Sequence, residues 1–209
     1  MSVPIMKSRV VLAVISGVAM LVGPAVFVAS ARAFSANPPG STSVGPLVPR
    51  AAANPAGDIP DSTKYTARRF PQGGLTISFP DGWSSKATTS SVHFTSTVNF
   101  IDVSWRIRLP GQTAAAATAH DVTWLKRSLP DFLLRSIHAV ALSGGPAVLS
   151  IYETTSAPDS VSGRRYRLVV ERFTFVHTTR VLVLSLSSPV GADNVDPWRI
   201  ISQSVRFTG

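Results

Sequence analysis

The stretch YRLVVERFTFVHTTRVLVLSLSSP, residues 166–189, decides how this chain folds. Its first half sets Leu168 and Val170 against Val169, Phe173 and Phe175, so both sides of an extended strand are apolar, and VLVLSL in its second half does the same. A strand with one wet face alternates apolar with polar, whereas a strand apolar on both faces lies inside a sheet that is covered on both sides. The spacing predicts strands over 164–176 and 180–187, joined through His177-Thr178-Thr179. The rest of the chain must then supply flanking strands and two covering layers.

The neighbouring segments supply them. Gly144-Gly145-Pro146 reads as the turn of a hairpin between strands over 137–142 and 147–153. Upstream, TAAAATAHDVTWLKRSL (113–129) is a helix with an alanine-rich start, Val122, Leu125 and Leu129 on one face, Lys126 and Arg127 in the last turn and Pro130 beyond. Over 100–109 the alternation is clean. Ile101, Val103, Trp105, Ile107 and Leu109 share one face, and Asp102, Ser104, Arg106 and Arg108 share the wet one. Val92 and Phe94 point inward from a shorter strand. In LTISFPDGW (75–83), Leu75, Ile77 and Phe79 form a half-buried strand stopped by Pro80-Asp81-Gly82, with Trp83 folding back over its end. A closing helix over 194–203, with Val195, Trp198, Ile200 and Ile201 apolar, covers the second face of the sheet or caps its end. The fold class is α+β.

This order of pieces, with FPDGW, IDVSWRIRL, GGPAVLSIYE, the 166–189 hairpin and a terminal SVRF, resembles the PsbP-like superfamily over residues 65–209. More narrowly it is similar to the exported actinobacterial LpqN-type domains. The resemblance implies an α/β/α sandwich around a central antiparallel sheet, and a non-catalytic accessory or binding role in a larger assembly. It carries over no ligand residue. FPDGW is read as architecture, with Phe79 and Trp83 in the core.

The N-terminus sets the compartment. Val10 to Ala29 is a 20-residue run without a charge, long enough as a helix to cross about 30 Å of hydrocarbon. Lys7 and Arg9 precede it and would keep residues 1–9 cytoplasmic. Gly23-Pro24 and the small residues Ala31 to Ala33 equally suit a cleaved signal peptide. The expectation is a single-pass membrane protein with its C-terminal domain outside, or a secreted one if the leader is cut. Residues 30–63, with six prolines, read as a disordered Pro/Ala/Ser-rich linker that leaves 64–209 as one globular domain. Cysteine is absent, which excludes disulfides, thiolate nucleophiles, cysteine-bound metals and a lipidated N-terminal cysteine.

Residues 64–209 hold 16 Lys and Arg against 9 Asp and Glu. A basic exported domain suits an envelope protein, an anionic lipid or a wall polymer better than nucleic acid, although arginine-rich composition alone also yields such a charge. Arg106 and Arg108 on one strand, with Arg164, Arg165 and Arg167 opening another, would form an anion-binding patch if those strand ends meet. No G-x-S-x-G occurs. His120-Asp121 is the best acid/base pair by sequence, but neighbours on a helix point about 100° apart, and a solvated helix face suits them better. His93, His120, His138 and His177 are scattered without metal-ligand spacing, and no cofactor loop is present. Trp124 stands one step off the helix stripe and is the tryptophan most available to a partner. Two functions follow, neither enzymatic: an accessory or protein-binding domain tethered to the membrane, or a carrier or sensor of a small anionic or amphiphilic envelope molecule. An apolar pocket would favour the carrier, and a flat face with an exposed aromatic would favour protein binding.

Overall fold

A computed structural model describes residues 57–159 and 162–208. The n-region 1–9, the hydrophobic run 10–29 and residues 30–56 of the linker lie outside them. Among the described residues no helix is long and apolar enough to cross a membrane.

Two antiparallel sheets make the fold. The larger has seven strands in the order β3 (Ser84–Ala87), β4 (Ser91–Ser96), β5 (Asn99–Ile107), β9 (Arg180–Pro189), β8 (Arg167–His177), β7 (Gly145–Thr155), β6 (Leu133–Leu142). The doubly apolar pair β8 and β9 occupies its middle, and β9 is buried from Val181 through Pro189. The smaller sheet joins β1 (Tyr65–Phe70), β2 (Leu75–Pro80) and the two-residue β10 (Arg206–Phe207). It stacks on one face of the large sheet together with α2 (Val195–Gln203), and α1 (Ala114–Ser128) covers part of the other.

The layer opposite α1 is therefore not a helix alone, as a plain α/β/α sandwich would require. β2 leaves the main sheet because Leu75, Ile77 and Phe79 must face it: Phe79 stacks on Phe94 of β4 with ring centroids 4.0 Å apart, and Trp198 and Ile201 of α2 complete the same core. Trp83 packs against this core while staying partly exposed.

Several expected faces shift. β5 ends at Ile107, so Ile107 and Leu109 are 78% and 64% exposed instead of continuing the inward row. β8 starts at Arg167, which leaves Arg164 and Arg165 in the preceding loop. On α1 the buried side is Ala117, Thr118, Asp121 and Leu125, one step round from the apolar stripe, and on α2 Val195 and Ile200 are exposed. Thr113 caps α1 by accepting from the Ala116 amide at 3.1 Å.

Asn194 makes no such cap for α2. Its side chain instead accepts from the Ile59 amide at 2.8 Å and donates to the Gly57 carbonyl at 2.9 Å. Asn99 donates to the same carbonyl at 2.7 Å, and Ile59 is buried in the core. Packing thus reaches back at least to Gly57, within the stretch read as linker. Gly57 has φ +108°, and a Cβ there would lie 2.7 Å from Pro189, so only glycine fits. The C-terminal segment is held as firmly: Thr208 donates to the Gly74 carbonyl, and Ser204 accepts from the Ser78 amide, both at 2.8 Å.

Candidate functional site

A helix about 10 Å across covers about two strands spaced 4.8 Å apart, so α1 cannot cover a seven-stranded sheet. Where α1 ends, part of its face of the sheet is left open. Phe100 of β5, Ser187 of β9, Leu168 and Val170 of β8 and Tyr152 of β7 form the floor of a groove of about 630 Å³. Its walls are the β4–β5 turn at Thr95 and Thr97, Leu129 at the end of α1, and the β7–β8 connection with Ser156, Pro158 and Tyr166. Among the described residues, the hydroxyls of Thr95, Thr97, Ser187, Tyr152 and Tyr166 accept or donate no protein hydrogen bond, so they are available to a ligand. Burial holds the Tyr152 phenol above its ordinary value, opposed by nearby Arg172, so it remains a donor at neutral pH. Two carboxylates, Asp102 and Asp159, line the groove, and no Lys or Arg does.

Beside the groove lies a buried ionic cluster. Asp121 Oδ2 accepts from Arg172 Nη2 at 2.8 Å, its Oδ1 accepts from Arg106 Nη2 at 3.1 Å, and Arg172 Nη1 donates to Ser185 Oγ at 3.1 Å. Asp121 is thus not on a solvated face. It locks α1 onto β5 and β8, while His120, the exposed neighbour, brings Nδ1 no nearer than 3.5 Å to it.

A second histidine–aspartate pair was hidden by treating the histidines as isolated. His93 Nδ1 lies 2.6 Å from Asp102 Oδ1 across the β4–β5 hairpin, and its ring stacks on Phe100. The signal was the two-residue loop Thr97-Val98, which puts residue 93 opposite residue 102. Among the described residues no hydroxyl bonds the other ring nitrogen.

The five arginines expected to gather are divided. β5 and β8 each run antiparallel to β9 and therefore point the same way, which sets the end of one and the start of the other at opposite edges. Arg106 lies level with Val176, nine residues from Arg167, or about 30 Å along the strand. Arg106 is spent on Asp121. Arg108 donates to the carbonyls of Gln112 and Thr178 at 2.9 and 3.2 Å. At the other edge, Arg167 donates to Glu153 and to the Asp131 carbonyl, Arg165 donates to the Ser156 carbonyl, and Arg164 is exposed in the loop. The guanidiniums of Arg135 and Arg167 hold the Glu153 carboxyl below its ordinary range. Trp124 is 60% exposed. Seven residues beyond Ala117, it shares that residue's flank of α1, which overlooks β9 and β5, and so stands beside the groove and not in it.

No protein-family model matches the chain, and no curated protein does. Solved structures do resemble it. Cyanobacterial PsbP (CyanoP) from Synechocystis matches over 78% of this chain and 99% of its own, with 12% identity and a TM-score of 0.50. LpqN of Mycobacterium tuberculosis, a protein involved in cell envelope biogenesis, matches over 71% and 93%, with 16% identity and a TM-score of 0.46. A Pseudomonas aeruginosa protein of unknown function matches over 65% and 91%, with 17% identity and a TM-score of 0.42. The domain has a PsbP-like α+β fold, and the likeness to CyanoP speaks to that fold alone.

Proposed function

We propose that residues 57–208 form a non-catalytic, extracytoplasmic binding domain, tethered through residues 10–29, that holds an uncharged amphiphilic molecule in the groove beside α1. The observation carrying this reading is the lining: unpartnered hydroxyls above an apolar floor, and no cation. Such a surface takes an alkyl or sterically similar chain on Phe100, Leu168 and Val170 while Thr95, Thr97 and Tyr166 engage oxygens of a head group. No Lys or Arg lines the groove to neutralise an anionic head, which narrows the carrier reading to neutral ligands.

Binding of octyl glucoside, followed by thermal shift and by quenching of tyrosine fluorescence, tests this. The wild-type domain should be stabilised in a saturable way, and Val170→Trp, which fills the groove floor, should abolish the effect. Saturable stabilisation that survives Val170→Trp would place the ligand elsewhere. A second reading, docking of an envelope protein, is favoured by Trp124, whose indole is exposed on α1 without a packing role.

A further inference from the structure

The carboxylates of the domain are sorted by end. The turns that gather where β5 stops are the β1–β2 turn (70–75), the β3–β4 turn (87–91), the β5–α1 connection (107–113), the β8–β9 turn (177–180) and the C-terminal residues 206–208. None of these segments contains an Asp or Glu. They carry or adjoin Arg69, Arg108, Arg180 and Arg206, and among the described residues none of these four pairs with a carboxylate. At the opposite end, about 33 Å away along β9, lie Asp58, Asp61, Asp81, Asp131, Asp193 and Asp196, mixed there with Lys64, Arg135, Arg164, Arg165 and Arg167. A domain needing only solubility mixes its signs, as the opposite end does, whereas the charged side chains of this end are cations alone.

The basic end also carries two exposed aliphatic side chains side by side. Ile107 and Leu109, 78% and 64% exposed, flank Arg108, with Pro110 exposed beside them. A single exposed aliphatic means little. Two of them projecting from a loop among guanidiniums whose hydrogen bonds, for Arg108 and Arg206, go to neutral carbonyls and leave the charge without a counter-ion match a surface that is anionic at its face and apolar just beneath. A hydrated polyanion would use the arginines and leave Ile107 and Leu109 without a role, so the aliphatic pair decides between the two.

We infer that this end of the domain docks on an anionic lipid bilayer, with Ile107 and Leu109 entering the headgroup region and Arg69, Arg108, Arg180 and Arg206 pairing with lipid phosphates. This surface lies apart from the groove and works whether or not the groove holds a ligand. The test is co-sedimentation of residues 50–209, a compact unit that contains the whole described core and lacks the hydrophobic run, with vesicles. Binding is expected to mixed phosphatidylglycerol and phosphatidylcholine vesicles and not to phosphatidylcholine alone, and it should weaken in high salt. Arg108→Gln/Arg180→Gln should lower partitioning by about 25-fold, taking about five-fold for each charge near the surface. Ile107→Ser/Leu109→Ser should lower it by about ten-fold or more with an unchanged melting temperature. Val190→Ser, an exposed aliphatic at the opposite end, should bind as the wild type does. Failure to bind anionic vesicles overturns the inference. So does wild-type binding by Ile107→Ser/Leu109→Ser, which would assign the arginines to a soluble polyanion such as a wall polymer.

Discussion

On the side of the seven-stranded sheet that meets the small sheet, Trp105, Leu182, Phe175 and Ala147 form one cross-strand row and Val103, Leu184, Phe173 and Leu149 the next. On the α1 side, the intervening rows read Ser104, Val183, Thr174, Val148 and Asp102, Ser185, Arg172, Ser150. The first face is held by packing, which is non-directional and additive in area. The second is held by Asp121 gripping two guanidiniums, a contact that depends on geometry and leaves some groups unsatisfied: Arg172 Nε and the hydroxyls of Thr118 and Thr174 are buried without a partner. One face of the sheet gives the domain its stability, and the other, looser and more polar, is where a groove can open.

Substitutions can break this contrast, and the largest effect belongs to the apolar face. Phe79→Ala removes the ring stacked on Phe94 and should cost about 3–5 kcal/mol in urea unfolding. Asp121→Ala should cost about 3 kcal/mol, because Arg172 is left buried without its counter-ion. The double variant Asp121→Leu/Arg172→Met should recover most of that loss, and if it does not, the cluster does more than satisfy itself. Thr174→Val replaces an unpartnered buried hydroxyl with a methyl and should stabilise by about 1 kcal/mol.

Titration sharpens the same contrast. Glu171 intrudes into the apolar face between Leu186 and Ile151, and burial raises its carboxyl above the ordinary 4.5. Its protonated form is favoured by folding, so its contribution is full below that value and is lost as pH rises through the raised one. Glu171→Gln should therefore raise the melting temperature at neutral pH and leave it nearly unchanged in mild acid. Glu153, held low by Arg135 and Arg167, behaves in the opposite sense, its contribution being full above 4.5 and lost as pH falls through the lowered value. Glu153→Gln should lower the melting temperature only at neutral pH. The smallest effect on stability, within about 0.5 kcal/mol, should come from Trp124→Ala, which should still reduce capture of an envelope protein if the second functional reading holds.

The apolar face was legible in the sequence because period-two patterning reports burial directly, the central pair β8–β9 because both of its faces are apolar, and the helix over 113–129 because of its alanine-rich start and its end signals. β1 was not, since Tyr65–Phe70 is polar and exposed except at its ends and is a strand only because β2 offers it hydrogen bonds. β3, SSKA, is an edge strand exposed throughout and has no pattern to read. The groove escaped for a different reason. Thr95, Ser187 and Tyr166 come together through the β4–β5 register and the β7–β8 connection, and no spacing along the chain announces that. The division of the arginines likewise depended on β5 and β8 pointing the same way, a fact of strand order. Ile107 and Leu109 continued a pattern whose strand had already ended.

The domain is shut by its last residues. β2 cannot complete its sheet without Arg206 and Phe207, and Ser78 finds its acceptor only at Ser204. Gly57 and Ile59 wait for Asn194, and Ser143 in the β6–β7 turn waits for Gln203. These contacts join the first part of the domain to its final fifteen residues, so the loop they close is nearly the whole domain. A chain that lengthens from its N-terminus has every strand of the large sheet before it has this clasp, so closure of the domain waits for residues 194–208.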